Sequence, residues 1–373
     1  APHAAEAPAD REHPQAHSGR GETFDPQQQD LFAGVKQADD RGLTEVEPEP
    51  PPVDVVPGDV ECPACGCLQH HILFTASDRL YRTTRKEFAI VECDQCRLMR
   101  LSPQPSPEEL GTYYPPNYWY APERSTASRL EEIYRRFVLR DHVRFVTRAI
   151  NDSRQDGPVL DVGCGGGLFL RLLRERGYSV MGLDYSVDAA TVAWARNRVP
   201  VTCGTLSHAP FAPQSCGAVT MFHVLEHLYD PASYLQAAHE LLRPDGRLIV
   251  QVPNAACWQF LLLGEAWNGV DVPRHLFQFR ASDLQVLLES CGFEVLRRKY
   301  FSLRDNPAGL ATSLAPGLDP MARRIRANKE GGRARLIKDM LYFGMVLAAV
   351  PFTLVEAACR AGSTIMMEAR KRS

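Results

Sequence analysis

The stretch Val159-Leu160-Asp161-Val162-Gly163-Cys164-Gly165-Gly166-Gly167 decides the fold of this chain. A short apolar run with one acidic residue breaks into glycines, and an amphipathic segment follows from Leu168 to Arg176. This pattern predicts a buried strand, a tight turn and the start of a helix. Glycines in such a turn let the backbone approach a ligand closely, because no side chain stands in the way.

A second acidic residue follows at a telling distance. The segment from Ser179 to Asp184 reads as another strand that ends in a carboxylate. An acid about 20 residues after the glycines, at the tip of the second strand, suits the two hydroxyls of a ribose. The two segments together therefore predict a nucleoside-bearing cofactor. A dinucleotide fingerprint would need a glycine where this chain has Leu168, which argues against a nicotinamide or flavin dinucleotide.

Strand and helix patterns alternate through the rest of this region. Strands are predicted at 200–203, 218–222 and 247–252, with helices at 186–197 and 231–242. Such alternation predicts an α/β fold with a doubly wound parallel sheet. A helix at 283–291 and strands from Phe293 to Leu303 and from Ser363 to Ala369 complete the region.

Two CxxC pairs precede the sheet. They are Cys62-Pro63-Ala64-Cys65 and Cys93-Asp94-Gln95-Cys96. Four thiolates at this spacing predict a zinc ribbon over residues 61–100, with one closed, structural Zn²⁺ site. The alternative, a pair of redox dithiols, does not explain two knuckles at this spacing. Short strands are expected between them, near Ile72–Phe74 and Phe88–Glu92.

Composition bounds the remaining questions. The formal net charge of −3 argues against a dedicated nucleic-acid binder. We expect no signal peptide, since the first residues lack an apolar core, and a metal-type cysteine pattern favours a reducing, cytoplasmic compartment. Residues 1–60 are acidic and proline-rich and are predicted to be a disordered tail.

Residues 101–150 are predicted to be a connector followed by an amphipathic helix from Ala127 to Ile150. The connector carries the aromatic group Tyr113–Tyr120, which either packs the small domain against the large one or covers a substrate pocket. Residues 151–373 form the main domain, with a helical insertion at 305–362.

The insertion combines charge with an apolar run. Several basic residues precede an uncharged stretch from Met340 to Val355, which Pro351 interrupts. We expect this stretch to be too short and too kinked to span a membrane. Three roles are then open for the region 321–356: contact with the inner face of an anionic membrane, a helical cap or a homodimer surface.

The spacing D-x-G-x-G-x-G from Asp161 to Gly167 resembles motif I of the class I S-adenosylmethionine-dependent methyltransferases. The resemblance continues in Gly182–Ser186, Met221–Leu228 and Leu241–Leu248, and it covers about residues 155–303 and the last strand. It implies a Rossmann-like sheet and S-adenosylmethionine as cofactor. One departure is Gly217, where the family usually has an aspartate.

Carried over by matched position, the resemblance implies a set of cofactor contacts. Asp161, Gly163, Gly165 and Gly167 should surround the methionyl part, and Asp184 the ribose. Thr205 and Leu206 should lie beside the adenine. The remaining predicted contacts are Tyr185 and Phe222.

The zinc knuckles, the connector and the run Pro273-Arg274-His275-Leu276-Phe277 resemble a narrower group of bacterial zinc-ribbon methyltransferases. Members of that group tend to act in surface-glycan, sugar or secondary-metabolite pathways. The resemblance implies a small-molecule, sugar or lipid-linked glycan acceptor, methylated on oxygen or carbon.

Methyl transfer from a sulfonium also needs a base for the acceptor's proton. Just past the fourth strand come His223, Glu226 and His227, and we expect them to face the methyl group. We predict His227 as the general base and His223 as the second candidate, with Glu226 orienting an imidazole. His275, from a separate loop, is expected at the same pocket, where the four residues could hold a divalent metal. The alternative is a structural role for His227.

Two other functions compete with methyl transfer. His223-Val224-Leu225-Glu226-His227 spells H-x-x-E-H, the inverted zinc-protease motif, but that chemistry requires a long helix. A non-catalytic module that binds the cofactor and recruits a partner is the other alternative. The intact glycines and Asp184 argue against it.

Overall fold

The computed structural model describes residues 61–114, 126–153, 156–326 and 330–372. The tail 1–60 and residues 115–120 of the aromatic group lie outside the described residues. Within them the strands are β1 His70–Ser77, β2 Glu87–Cys93, β3 Met99–Ser102, β4 Val159–Val162, β5 Val180–Asp184, β6 Val201–Cys203, β7 Cys216–Phe222, β8 Leu242–Pro253, β9 Phe277–Gln278, β10 Phe293–Lys299 and β11 Thr364–Lys371.

Helices alternate with these strands. In the described residues they are α1 Pro107–Thr112, α2 Thr126–Val138, α3 Arg140–Ser153, α4 Leu168–Arg174, α5 Val187–Asn197, α6 Pro231–Leu241, α7 Trp258–Leu263, α8 Ala281–Ser290, α9 Asn306–Leu314, α10 Pro320–Ile325 and α11 Gly332–Ala358. The helix predicted over 127–150 is present as α2 and α3, which are separated only at Leu139.

The main sheet has seven strands in the order β10-β11-β8-β7-β4-β5-β6. β11 runs antiparallel to both of its neighbours, and the β4, β5, β6, β7 and β8 pairings are parallel. The residues of β4 are all buried, as expected of a central parallel strand covered on both faces. The predicted doubly wound Rossmann-like α/β fold is confirmed.

Two strand boundaries differ from the prediction. β8 begins at Leu242 because the turn residues Pro244-Asp245-Gly246 form an irregularity within the strand, where the register against β7 shifts. Asp245 adopts a φ of 58°, which fits this bulge. β10 ends at Lys299 rather than at Leu303.

The ribbon forms a second, four-stranded antiparallel sheet in the order β1-β2-β3-β9. β1 and β2 contain the two predicted short strands. The fourth strand, β9, comes from the main domain, so that Met99 pairs with Gln278 and Arg100 with Phe277. The ribbon sheet therefore includes a strand of the main domain.

Two buried carboxylates of the ribbon region bind arginines of the main domain. Asp78 Oδ1 accepts from Arg274 Nη2 at 2.8 Å, and neither side chain is exposed to solvent. Glu92, on β2, pairs with Arg280 at the start of α8. Because breaking a buried ion pair is costly, these contacts fix the ribbon in one orientation.

The insertion between β10 and β11 contains α9, α10 and α11. The apolar stretch was expected to be interrupted at Pro351 and too short to span a membrane, and both expectations were wrong. Helix α11 runs through Pro351 and has 27 residues in all. Pro351 lies on an exposed side of the helix, where the carbonyl group that loses its partner can meet solvent. Among the described residues, α11 is the only helix long and apolar enough to cross a membrane, with a mean hydropathy of 1.7.

Candidate active site and metal centre

The glycine turn between β4 and α4 is shaped by its backbone. Gly163, Gly165 and Gly167 have φ values of 70°, 52° and 73°, in the left-handed region that favours glycine. A Cβ on Gly163 would lie 2.7 Å from Val224 Cγ2, so that side packs tightly. A Cβ on Gly165 would meet nothing within 4 Å. The open side of Gly165 is where a cofactor can approach the backbone.

Asp184 closes this turn from the neighbouring strand. Its carboxylate accepts hydrogen bonds from Gly165 N at 2.7 Å and from Ser186 N at 2.9 Å. Burial raises the pKa of Asp184. A carboxylate has about four acceptor positions, so two remain for ribose hydroxyls. Asp184, the residue predicted to bind the ribose, therefore lies beside the open side of Gly165.

The other predicted cofactor residues surround the same edge with different exposure. Tyr185, directly after Asp184, is largely exposed, and Thr205 Oγ1 lies 3.1 Å from His208 Nδ1. The side chain of Leu206 is buried in the core. Phe222 packs edge-on against Phe169.

Asp161 lies at the centre of the sheet. It is buried and accepts a hydrogen bond from Thr220 Oγ1 at 2.5 Å. Burial raises the pKa of Asp161 to about 7. The carboxyl group of Asp161 is therefore close to its protonation midpoint at neutral pH.

His223 occupies a strained position at the end of β7. Its φ of 57° is left-handed, which is unusual for a residue with a side chain. The ring lies between two carboxylates, with Nδ1 3.1 Å from Glu226 Oε1 and Nε2 3.6 Å from Asp305 Oδ2. Burial lowers the pKa of His223, but Asp305 and Glu226 outweigh it and raise the value to about 9. An imidazolium cannot accept a proton, so this arrangement favours His227 over His223 as the base.

Glu226, His227 and His275 form a compact cluster. One potential ligand atom from each lies within 4.8 Å of the others, and the rings of His227 and His275 are 4.6 Å apart, edge to face. The Nδ1 atoms face backbone carbonyl groups, of Arg274 at 3.0 Å for His227 and of Gly269 at 2.8 Å for His275. Those contacts place the proton on Nδ1, so that Nε2 of each neutral ring is unprotonated. Nε2 of His275 also lies 3.8 Å from Asp271 Oδ2.

The electrostatics of the cluster keep His227 neutral. Burial, followed by the neighbouring His275, lowers the pKa of His227 to about 4. Glu226 Oε2 is buried without a hydrogen-bond partner in the described part of the chain. A partnerless carboxylate oxygen beside two imidazole lone pairs fits a divalent cation, and backbone carbonyl groups behind the imidazoles are typical of metal sites.

The H-x-x-E-H run does not form a metallopeptidase helix. Leu225–His227 is a single turn of 3₁₀ helix that follows the left-handed His223. The potential metal ligands include His275 from a distant loop and exclude His223. The backbone therefore lacks the single helical face that the protease motif requires.

Several residues of the site escaped the sequence analysis. Asp305 accepts a hydrogen bond from Gln251 Nε2 at 2.6 Å and faces His223. The Tyr114 hydroxyl lies 3.0 Å from His227 Nδ1. Tyr114 belongs to the aromatic group already noted in the sequence, but nothing in the local pattern marked Asp305 or Gln251.

The four ribbon cysteines converge as predicted. Cys62 Sγ lies 3.5 Å from Cys96 Sγ, and Cys65 Sγ lies 3.6 Å from Cys93 Sγ. Tetrahedral zinc with Zn–S bonds of about 2.3 Å requires sulfur separations of about 3.8 Å. The four sulfurs, all within 4.8 Å of one another, therefore fit structural zinc.

Comparison with known proteins agrees with this geometry. A family model described as "Methyltransferase domain" matches residues 132–298. A "probable S-adenosylmethionine-dependent methyltransferase" of Mycolicibacterium smegmatis is 34% identical over 48% of this chain, and the match spans 60% of that protein's length. A ubiquinone biosynthesis O-methyltransferase of Pseudomonas paraeruginosa is 31% identical over 43% of this chain and 74% of its own length.

Among solved structures, a SAM-dependent methyltransferase from Archaeoglobus fulgidus aligns over 66% of this chain and all of its own, with 18% identity and a TM-score of 0.42. The chain belongs to the S-adenosylmethionine-dependent methyltransferases, as its family match and its relatives show. S-Adenosylmethionine is the cofactor of this family, and the glycine turn with Asp184 is the part of the fold that would hold it.

Proposed function

We propose that this protein transfers the methyl group of S-adenosylmethionine to an oxygen or carbon of a small-molecule acceptor, such as a sugar or a lipid-linked glycan. One observation carries the proposal. The open side of Gly165 and the carboxylate of Asp184 lie at the ends of β4 and β5, and the Glu226–His227–His275 cluster follows the neighbouring strand β7. Donor and acceptor positions thus share one edge of the sheet.

The chemistry asks little of the protein beyond alignment. Methyl transfer forms a bond from the acceptor atom to the methyl carbon and breaks the carbon–sulfur bond, which leaves a neutral thioether. Holding the two reactants in line supplies much of the rate. The acceptor's proton passes to His227 Nε2, since that nitrogen is unprotonated at neutral pH.

A divalent cation is an alternative partner for the same cluster. Glu226, His227 and His275 would hold it, and when bound it would lower the pKa of an acceptor hydroxyl. In that case His227 would hold the cation and would not take the acceptor's proton. The unpartnered Glu226 Oε2 supports this arrangement.

The acceptor is proposed from likeness alone. Relatives named ubiquinone biosynthesis O-methyltransferases support an oxygen acceptor. The ribbon and the Pro273–Phe277 run, which resemble bacterial zinc-ribbon methyltransferases, support a sugar or glycan. The metal-type spacing of the ribbon cysteines supports a reducing, cytoplasmic location.

Cofactor binding tests the proposal directly. Titration calorimetry with S-adenosylmethionine should give saturable binding by the wild-type chain and its loss in Asp184→Ala. Asp188→Ala removes an exposed acidic residue of α5 and is the matched control, expected to bind as the wild type does. If the wild type fails to bind at millimolar cofactor, the methyltransferase proposal is overturned. The alternative of a non-catalytic module that binds this cofactor is overturned as well.

The two roles of the cluster are separated by a methyl-transfer assay with labelled cofactor over sugars, nucleotide-sugars and phenols. If His227 is the base, activity does not depend on added Mg²⁺ or Mn²⁺. If the cluster holds a cation, chelation abolishes activity and added Mg²⁺ or Mn²⁺ restores it. In either case Asp188→Ala retains activity, because the residue lies outside the cluster.

A further inference from the structure

Three helices expose a large number of apolar side chains. Met340 is 66% and Leu347 is 56% exposed on α11, and Leu261 is 81% exposed on α7. Phe137 and Ile133 of α2 are exposed as well. We call this set the apolar face: Ile133, Phe137, Leu261, Leu262, Leu336, Ile337, Met340, Leu341, Phe343, Leu347, Leu354 and Val355.

The apolar face is one surface, because contacts join its three helices. The ring of Tyr134 on α2 lies 6.2 Å from that of Phe343 on α11. The ring of Trp258 on α7 lies 6.3 Å from that of Phe352, also on α11. Exposed apolar patches of this kind mark an interaction site in a folded protein.

The opposite side of α11 is fastened to the main domain. Val346, Ala349 and Thr353 are buried, and Glu356 accepts hydrogen bonds from Gln259 N at 3.0 Å and Nε2 at 2.9 Å. A helix that crossed a membrane would have to give up these polar contacts. The helix is therefore placed to lie along a surface, with its apolar side outward.

Positive charges flank α11 at both of its ends. Arg333 and Arg335 are exposed at the start of α11, and Arg360 is exposed just past its end. Arg140 lies over the ring of Phe137 at 5.3 Å. Of the acidic residues on α11, Asp339 binds Arg323 and Glu356 is buried. On α2, Glu132 is partly exposed and pairs with Arg171 at 3.4 Å. Cations around an apolar strip complement an anionic bilayer.

The same charges disfavour a second copy of the chain as the occupant. A symmetric pair of α11 helices would place the arginines at one helix end against arginines of the other copy, in either relative direction. Like charges at an interface suppress association.

The apolar face also lies close to the acceptor side of the active site. The hydroxyl group of Tyr342 on α11 donates to Ala308 O of α9 at 3.4 Å, and Asp305 is the residue directly before α9. Asp305 in turn faces His223 and Gln251. Helix α9 thus connects α11 with the residues beyond β7.

We propose that α11, with α2 and α7, docks this protein on an anionic membrane, and that docking brings the acceptor side of the site next to the bilayer, where the acceptor is attached to a lipid. The position of the acceptor rests on the proposed methyltransfer. Docking itself does not, because it requires neither cofactor nor acceptor.

Vesicle co-sedimentation of the full chain tests the proposal. Vesicles of phosphatidylcholine with about one third phosphatidylglycerol should bind the protein, and pure phosphatidylcholine should bind it about tenfold or more weakly. Leu347→Glu should reduce binding to the anionic vesicles by about tenfold or more, since it places a charge in the apolar side of the helix. Arg333→Glu with Arg335→Glu should remove the preference for anionic lipid.

Val286→Glu is the matched control, because Val286 is as exposed as Met340 but lies on α8. It should bind vesicles as the wild type does. Equal binding by Leu347→Glu and the wild type overturns the proposal. The proposal is also overturned if the protein does not bind vesicles and instead forms a dimer, seen by analytical ultracentrifugation, that Leu347→Glu dissociates. Calorimetry with S-adenosylmethionine on the same samples keeps a failure of docking distinct from a failure of cofactor binding.

Discussion

Replacing Asp78 with alanine should weaken the attachment of the ribbon to the main domain and displace His227, the proposed base. Asp78 accepts hydrogen bonds from Arg274 and also from Tyr81 N at 3.0 Å, Thr83 N at 2.8 Å and Thr83 Oγ1 at 2.6 Å. Removing one partner of a buried ion pair costs about 3–5 kcal/mol. Arg274 keeps Asp271 at 2.7 Å, which favours the low end of that range, while the orphaned backbone donors add to it.

Urea unfolding measures this loss. With a slope of about 3 kcal/mol/M, a destabilisation of about 3–4 kcal/mol lowers the midpoint by about 1 M. Glu265→Ala removes an exposed acidic residue and should change the free energy of unfolding by less than about 0.5 kcal/mol. Because His227 Nδ1 is held by the Arg274 carbonyl group, methyl transfer by Asp78→Ala should also fall while cofactor affinity persists. A midpoint within about 0.2 M of the wild type would refute the reasoning.

The pH dependence adds a second check on the same variant. Burial opposes ionisation of Asp78, but the hydrogen bonds and charge of Arg274 outweigh it and lower its pKa. The folded state therefore binds fewer protons at this site than the unfolded state. The stabilisation is present above the unfolded pKa of about 3.9 and is lost as the pH falls through the folded value. The deficit of Asp78→Ala should thus shrink below about pH 4.

Three other predictions follow from the two sites. Metal analysis should find about one Zn²⁺ per chain, lost in Cys93→Ser and retained when His223, His227 and His275 are all replaced; loss in the triple variant would move the zinc to the active site. Gly165→Val should abolish cofactor binding in calorimetry, since its side chain enters the open space, whereas Gly309→Ala, within α9, should bind normally. His227→Ala should lower kcat by about 10²–10⁴ if His227 is the base. Since the pKa of His227 is lowered to about 4, the acid limb of the wild-type pH–rate profile should lie near pH 4 rather than near 6.5, where an unperturbed histidine would place it.

The parts of the structure set by local pattern could be predicted from the sequence. The glycine turn, Asp184 and the two cysteine knuckles each depend on residues close together in the chain, where spacing alone constrains the backbone. β4 and β5 were predicted for the same reason. The α/β alternation then left few topologies for the main sheet.

The remaining features depend on residues far apart in the chain. Arg274 and Asp78 are separated by 196 positions, and no local pattern pairs them. Asp305 reaches Gln251 across 54 positions, and β9 is only two residues long and is defined by its pairing with β3. The course of α11 through Pro351 was missed because the helix is stabilised by burial of its inner side, which a propensity argument does not see.

The segment from Asp271 to Gln278 serves the ribbon and the active site at once. Within eight consecutive residues it supplies the partner of Asp78, one of the two histidines of the cluster and the strand that completes the ribbon sheet. A ribbon transplanted from a relative would therefore arrive without its fourth strand or its buried counter-ion. The smallest exchangeable module in this protein is discontinuous, and chimeras that carry the ribbon alone should express as misassembled chains, whereas those that carry both segments should fold.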